Sequence, residues 1–179
     1  MDHAEIRSLF EIHKICVLIP TYNNAQTLER VIRDVLMYTD QLIIVNDGST
    51  DATGRILESF PAIRKVSYQK NRGKGYALRA GFAFALSEGF EHAITMDSDG
   101  QHYAADLISL LTAFKENPGT IIVGARNMDQ STVPGKSSFG NKFSNFWFWV
   151  TTGIKMQDTQ SGYRLYPILR MRNINFFTR

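Results

Sequence analysis

The chain reads Ile15-Cys-Val-Leu-Ile-Pro-Thr-Tyr-Asn-Asn24, a short apolar run that ends in a proline and a polar cluster. Five consecutive apolar residues are typical of a strand that is buried on both faces. The next residues predict an amphipathic helix over 25–38, because apolar side chains recur at helical spacing from Leu28 to Leu36. A second apolar run at residues 42–45 then completes a β-α-β unit.

The same alternation continues along the chain. Further strands are predicted at residues 63–68, 92–96 and 120–123. Further helices are predicted at residues 51–60, 75–87 and 107–114. This order predicts an α/β fold, a single domain whose mainly parallel central sheet is flanked by helices. We expect an N-terminal extension at residues 1–13, the domain at residues 14–170, and a tail at residues 171–179.

The composition is that of a globular protein, since 44% of the 179 residues are hydrophobic and 21% are charged. No run approaches the roughly 18 apolar residues that a transmembrane helix needs. The first residues also lack the basic start of a signal peptide, so we expect a cytoplasmic protein. The single cysteine, Cys16, excludes an internal disulfide and a CxxC metal site, and we expect it to be buried.

Charge is distributed unevenly along the chain. Residues 1–119 hold 12 Lys and Arg against 15 Asp and Glu, whereas residues 120–179 hold 8 against 2. The same last 60 residues contain 10 of the 21 aromatic residues. This distribution indicates a phosphate-bearing partner or contact with a membrane surface, such as the inner membrane face. Nucleic acid is disfavoured, because no recognised nucleic-acid module is present.

A polar cluster follows each of the first four predicted strands. The clusters occupy residues 20–24, 46–51, 70–75 and 97–102. Because the carboxyl ends of strands in such a sheet face one crevice, we expect the clusters to form one ligand site. Taken alone, Asn-Asp-Gly-Ser at residues 46–49 is also a good turn sequence, in which Asp47 would cap the helix that follows Ser49.

Glycine motifs that cradle phosphates are absent, so a phosphate-bearing ligand needs another source of charge neutralisation. Asp97 and Asp99 follow a predicted buried strand, and Gln101 adds a neutral oxygen two residues later. Hard oxygen ligands at this spacing suit Mg²⁺ or Mn²⁺. His102 is more consistent with a surface histidine, or with one that supports the metal ligands, than with a metal ligand itself. Lys74 lies between two glycines at the start of a predicted helix, where an anion-binding role and a solvated lysine are both open.

Six blocks in chain order resemble those of family 2 glycosyltransferases with the GT-A fold, and most closely the branch that includes dolichyl- and polyprenyl-phosphate sugar transferases. The blocks are Ile-Pro-Thr-Tyr-Asn-Asn at residues 19–24, Val-Asn-Asp-Gly-Ser-Thr-Asp at 45–51, Asn-Arg-Gly-Lys-Gly-Tyr-Ala at 71–77, Asp-Ser-Asp-Gly-Gln-His at 97–102, Gly-Ala-Arg at 124–126 and Asp-Thr-Gln-Ser-Gly-Tyr-Arg at 158–164. The resemblance implies a metal-dependent, inverting sugar transfer from a UDP-sugar or a GDP-sugar.

The resemblance also implies roles for individual residues. The donor would be bound by Pro20, Tyr22, Asn23, Asp47, Lys74 and Asp97. Asp97, Asp99 and Gln101 would hold the metal on the diphosphate, and Asp99 would thereby take part in catalysis. Arg126, Ser161 and Arg164 would lie toward the acceptor.

The acceptor is expected to be a lipid phosphate. A hydroxyl acceptor needs a general base, and neither the Glu-Asp pair nor the Gln-x-x-Arg-Trp motif of relatives that glycosylate hydroxyls occurs after residue 102. A phosphate monoester is already ionised and needs only cations, for which the candidates are Arg126, Lys136, Lys142 and Arg164. Asp158 stays open between a catalytic base for a hydroxyl acceptor and an ion-pair partner of an arginine such as Arg164.

The chain departs from the family after its Ser-Gly-Tyr-Arg block, because only 15 residues follow Arg164 and none is acidic. We therefore expect a C-terminally shortened domain, with a non-catalytic nucleotide-binding fragment as the alternative. A sugar-phosphate nucleotidyltransferase is disfavoured, because its glycine-rich start is absent after the first strand. Residues 130–138 are a candidate lid, and residues 138–150 predict a helix whose aromatic face packs in the core or contacts lipid.

Overall fold

A mixed sheet forms the centre of the computed structural model, which describes residues 1–124 and 161–173. Its strands within these residues are β1 (Ile15–Thr21), β2 (Leu42–Asn46), β3 (Arg64–Ser67), β4 (His92–Thr95), β5 (Ile122–Val123) and β6 (Arg164–Tyr166). Their order across the sheet is β3-β2-β1-β4-β6-β5. The predicted lid and the predicted aromatic helix lie outside the described residues.

Helices cover both faces of this sheet. They are α1 (His3–Ile12), α2 (Ala25–Leu36), α3 (Thr53–Glu58), α4 (Lys74–Ser87), α5 (Leu107–Glu116) and α6 (Ile168–Met171), with a 3₁₀ turn at Ala104–Asp106 before α5. No helix in the described part of the chain has the length and apolar character needed to cross a membrane.

The four strands β1 to β4 are parallel, which confirms the prediction of a mainly parallel sheet. In the centre, β1 pairs with β2 from Val17 opposite Leu42 to Thr21 opposite Asn46, and with β4 from Ile15 opposite His92. Every residue of β1 and of β2 is buried, as uniformly apolar runs predict. The polar loops that follow these strands therefore meet at one edge of the sheet.

The far edge of the sheet differs from the prediction. Residues 120–123 were predicted as a further strand, but only Ile122–Val123 is extended, and it pairs with β6 rather than with β4. The unpredicted strand β6 lies between them and runs antiparallel to both, with Thr95 opposite Arg164. A three-residue strand leaves no periodic signal in a sequence, and its partner lies far away along the chain.

Alternate side chains of β1 enter two different cores. Ile15, Val17 and Ile19 pack on the face covered by α1, α2 and α5. Cys16 and Leu18 pack on the face covered by α4 and α6. Burial raises the pKa of the Cys16 thiol to about 12, so this cysteine is a protonated, buried side chain, as the sequence predicts.

The segment expected to be an N-terminal extension forms α1. The side chain of Asp2 caps this helix by accepting a hydrogen bond from the backbone N–H of Glu5 at 2.8 Å. Ile6 and Phe10 are buried in the same core as β1 and α2. Residues 1–13 therefore contribute apolar packing to the domain.

Candidate functional site

A cavity of about 330 Å³ opens at the carboxyl edge of the parallel strands. Its size falls within the range of small-molecule sites, roughly 300–1,000 Å³. The lining residues are Pro20, Thr21, Tyr22, Asn24, Asp47, Asn71, Lys74, Ala77, Asp97, Ser98 and Asp99. The structure thus brings together six of the predicted site residues, which are Pro20, Tyr22, Asp47, Lys74, Asp97 and Asp99.

Asp97 carries the most strongly perturbed carboxylate of the cavity. Nε2 of His102 lies 3.7 Å from its Oδ2, and Nζ of Lys74 lies 2.5 Å from its Oδ1. His102 and then Lys74 hold the pKa of Asp97 down to about 2, although partial burial opposes them. Asp97 is therefore fully ionised at neutral pH, and the Lys74 ammonium balances its charge.

Asp99 stands at the open side of the same turn and is exposed. Its Oδ1 accepts a hydrogen bond from the backbone N–H of Gln101 at 2.9 Å, which fixes the carboxylate at the cavity rim. The Gln101 side chain is also exposed and is not among the described residues that line the cavity. The turn therefore presents Asp97 and Asp99 to the cavity, with Gln101 beside them.

These carboxylates fit a divalent cation that takes its other ligands from a bound phosphate and from water. Within residues 1–124 and 161–173, no group of three or more His, Cys, Asp or Glu side chains is arranged to hold a metal ion. Mg²⁺ does not require such a cage, because it is commonly held by one or two carboxylates together with substrate phosphates. The oxygen-only character of Asp97 and Asp99 suits Mg²⁺ or Mn²⁺.

Asp47 lines the cavity but uses both of its carboxylate oxygens to hold backbone. Its Oδ1 accepts from the N–H of Arg72 at 2.9 Å, and its Oδ2 accepts from the N–H of Gly73 at 2.8 Å. The side chain is buried, with 3% of the residue exposed. Asp47 therefore fixes the two residues that precede α4, and with them the position of Lys74 at its first turn. The sequence predicts that Asp47 binds the donor or caps the helix after Ser49, and it does not predict these contacts with the backbone of Arg72 and Gly73.

Two neighbouring asparagines tie the loop after β1 to the loops after β2 and β4. Asn23, in a left-handed conformation with φ of 53°, accepts from the backbone N–H of Thr50 at 2.8 Å. Asn24 donates from Nδ2 to Oγ of Ser98 at 2.6 Å. Of this pair the sequence singled out Asn23 for the donor, yet it is Asn24 that lines the cavity.

The residues predicted to face the acceptor are only partly described. Ser161 is 2% exposed, and its Oγ accepts from the backbone N–H of Tyr163 at 3.2 Å. Arg164 lies in β6 and donates from Nε to the carbonyl of Ser161 at 2.7 Å. Neither is among the described residues that line the cavity. Arg126, Lys136, Lys142 and Asp158 lie outside the described residues.

Known proteins share this sequence pattern. The chain matches the family model described as glycosyl transferase family 2 over residues 16–167. The polyprenol monophosphomannose synthase of Mycolicibacterium smegmatis is 30% identical over 175 residues, which cover 92% of this chain and 64% of that protein. The UDP-N-acetylglucosamine–dolichyl-phosphate N-acetylglucosaminyltransferase of Methanococcus voltae is 26% identical over 172 residues, which cover 85% of this chain and 68% of that protein.

A solved structure shares the fold. Glucosyl-3-phosphoglycerate synthase from Mycobacterium tuberculosis, in complex with Mn²⁺, UDP-glucose and phosphoglyceric acid, superposes with a TM-score of 0.72 and 20% sequence identity. The match covers 94% of this chain and 61% of that one, so this chain spans less than two thirds of that protein. The likeness confirms the GT-A fold that the sequence predicts.

Proposed function

Because the chain belongs to glycosyl transferase family 2, we propose that it transfers a sugar from a nucleoside-diphosphate sugar to a lipid phosphate. The observation that supports this most directly is the cavity in which Asp97, Asp99 and Lys74 meet. A site with two carboxylates and one ammonium group cannot hold a diphosphate by direct contact alone. A divalent cation held by Asp97 and Asp99 would supply the positive charge that diphosphate binding needs.

The donor is proposed to lie along the cavity. The nucleoside occupies the end formed by Pro20, Tyr22 and Asp47, and the diphosphate occupies the end formed by Asp97 and Asp99. Asp97, Asp99 and Gln101 would hold Mg²⁺ or Mn²⁺, and the cation would supply positive charge to stabilise the departing diphosphate. UDP and GDP are both candidate donors, and the name of the Methanococcus voltae relative favours UDP.

Lys74 is proposed to change partners when the donor binds. In the structure its ammonium group contacts Asp97. Its side chain is 54% exposed, so it can move at small cost. A phosphate oxygen entering beside Asp97 offers the ammonium group a second anion. Lys74 would then add positive charge beside the diphosphate, which is the leaving group of the donor.

The acceptor is proposed to be a polyprenyl phosphate at a membrane surface. The names of both curated relatives contain a polyprenol or a dolichyl phosphate. A phosphate acceptor is ionised at neutral pH and needs no general base. The basic and aromatic composition of residues 120–179 suits an anionic headgroup beside lipid. Transfer to a hydroxyl, with Asp158 as base, is the competing reaction.

Calorimetric titration of the 179-residue chain with UDP and with GDP, each with and without Mn²⁺, tests the donor site. We expect binding that needs the cation and that falls at least about tenfold in Asp99→Ala. Asp40→Ala removes an exposed aspartate before β2, away from the cavity-lining residues, and is the matched control. Unchanged binding by Asp99→Ala would remove Asp99 from the metal site.

A turnover assay tests the acceptor. The chain is offered short polyprenyl phosphates against sugar and lipid hydroxyls, with the nucleoside-diphosphate sugar that binds best. We expect transfer to the phosphates and little effect of Asp158→Asn. Transfer only to hydroxyls, abolished in Asp158→Asn, would overturn the phosphate acceptor. Donor binding without any turnover would identify the chain as a nucleotide-binding fragment.

A further inference from the structure

The backbone at Gly162, two residues before β6, lies directly against the Asp97 carboxylate. A Cβ atom placed on Gly162 would lie 2.9 Å from Cγ and 3.0 Å from Oδ1 of Asp97, and closer still to Oδ2. All three of its nearest neighbours would therefore be atoms of this one carboxylate. The φ angle of Gly162 lies outside the left-handed region, so the backbone conformation does not itself call for glycine.

The backbone around Gly162 is held on both sides and cannot easily retreat. Oγ1 of Thr95, in β4, donates to the carbonyl of Gly162 at 2.7 Å. The backbone N–H of Gly124 donates to the carbonyl of Tyr163 at 2.9 Å. Tyr163 is 3% exposed within the core. Extra volume at residue 162 would therefore displace the Asp97 side chain rather than the strand.

His102 limits Asp97 from another direction. Its ring packs on the ring of Tyr163, with centroids 5.0 Å apart and planes 31° apart. Its Nε2 faces Oδ2 of Asp97, and the side chain is 9% exposed. The hydroxyl of Tyr163 in turn donates to the carbonyl of Tyr103 at 3.4 Å. The segment that carries Gly162 thus also supports the imidazole that faces the carboxylate.

We propose that Gly162 is a positioning residue that keeps the Asp97 carboxylate in its cavity-facing orientation. The missing side chain leaves the space in which the carboxylate lies between Lys74 and His102. Any larger residue would rotate Asp97 away from the place where cation and diphosphate are proposed to bind. The benefit for ligand binding rests on the proposed function, whereas the contact itself does not.

The test compares Gly162→Ala with Gly54→Ala, since a Cβ on Gly54 in α3 meets nothing within 4 Å. Titration with UDP and with GDP, each with and without Mn²⁺, separates cation-dependent from cation-independent binding. We expect Gly162→Ala to weaken the cation-dependent part about tenfold or more and to leave any binding without the cation unchanged. Gly54→Ala should match the parent in both. Equal cation-dependent binding by Gly162→Ala and the parent would overturn the proposal.

A thermal cycle tests the contact without any ligand. Gly162→Ala should lower Tm by about 5 °C in the parent. It should change Tm little in an Asp97→Ala background, where the crowded atoms are gone. If Gly162→Ala alone does not fold, a folded Asp97→Ala/Gly162→Ala double variant supports the contact. An equal loss in both backgrounds, or a double variant that does not fold, overturns it. If the parent binds neither UDP nor GDP, the proposed function fails, and this thermal cycle still decides the contact.

Discussion

The loops that follow β2 and β4 look alike in sequence, yet their carboxylates do different things. In the β2 loop, residues 46–51, the acidic side chains hold backbone. Asp47 accepts from the N–H groups of Arg72 and Gly73, and Asp51 accepts from those of Ala25 and Thr53. A hydrogen bond from Thr53 keeps the pKa of Asp51 below its usual range. This loop is a scaffold that sets the positions of its neighbours.

In the β4 loop, residues 97–102, the carboxylates of Asp97 and Asp99 face the cavity. Asp97 meets the side chains of Lys74 and His102, and Asp99 makes a single backbone hydrogen bond at the rim. Side-chain partners such as these can be exchanged for a ligand, whereas backbone partners cannot be given up without moving the chain. Changes in the β2 loop should therefore alter stability first, and changes in the β4 loop should alter binding first.

The largest effect is expected for Gly48→Ala in the β2 loop. Gly48 has φ of 73°, and a Cβ there would lie 2.5 Å from the backbone N of Asn71. We expect a loss of about 3 kcal/mol or more in the free energy of unfolding, measured by urea denaturation, because strain and overlap with backbone add together. Gly73→Ala, with φ of 89° and nothing within 4 Å of the added Cβ, should cost only about 1–2 kcal/mol. Equal losses would show that the overlap at Asn71 is relieved.

Asp47→Asn should act next most strongly. The substitution turns one acceptor toward a backbone N–H into a donor, so we expect a loss of about 2–3 kcal/mol in the free energy of unfolding. Nucleotide binding should weaken as a consequence, since the start of α4 carries Lys74. Asp99→Asn, in the other loop, should leave urea stability within about 0.5 kcal/mol of the parent. An Asp47→Asn variant with parental stability and weaker nucleotide binding would instead make Asp47 a direct reader of the base.

Asp97 should show itself through pH. Its pKa in the folded chain is about 2, below the ordinary value of 3.8, so the unfolded chain takes up the proton first as pH falls. The carboxylate therefore adds stability, on the order of 2 kcal/mol, that is complete above about pH 4 and is lost as pH approaches 2. The difference in unfolding free energy between the parent and Asp97→Asn should shrink by that amount across this window. A constant difference from pH 5 to pH 2.5 would contradict the pairing with His102 and Lys74.

The smallest effect is expected for Lys74→Met, read by titration with Mn²⁺ alone. Removal of the ammonium group beside Asp97 should raise the affinity for the free cation about threefold, because the lysine is 54% exposed and a pair open to solvent on one side is worth roughly 0.2–1 kcal/mol. Affinity for UDP with Mn²⁺ should fall in the same variant. Lys70→Met, an exposed lysine of the neighbouring loop, should change neither. A lower affinity for Mn²⁺ alone would show that Lys74 does not compete with the cation.

The sequence predicts the centre of this molecule well and its periphery poorly, for physical reasons. Uniform apolar runs identify β1 and β2, because strands buried on both faces need apolar residues at successive positions. Apolar residues at helical spacing identify α2, because that helix is buried on one face. The cavity follows from the rule that parallel strands end at one edge. Helix α3 proves shorter than predicted, spanning Thr53–Glu58 rather than residues 51–60.

What the sequence does not predict depends on partners without a sequence signal. The N–H groups that bind Asp47 belong to the backbone of Arg72 and Gly73, and any residue other than proline supplies one. Strand β6 and the crowding of Gly162 against Asp97 depend on two segments that are distant in the chain. Here only the fold reveals which residues meet.

The placement of β6 also has a consequence for the nascent chain. Thr95 of β4 and Arg164 of β6 are 69 positions apart, so on the ribosome β4 is complete long before its second neighbour exists. Until residues 164–166 emerge, the outer backbone of β4 is an open edge, able to pair with another chain. A polypeptide interrupted before residue 164 would carry β1 to β4 in order and still expose that edge. Among the described strands, β6 therefore decides whether the edge of β4 is covered in the newly made sheet.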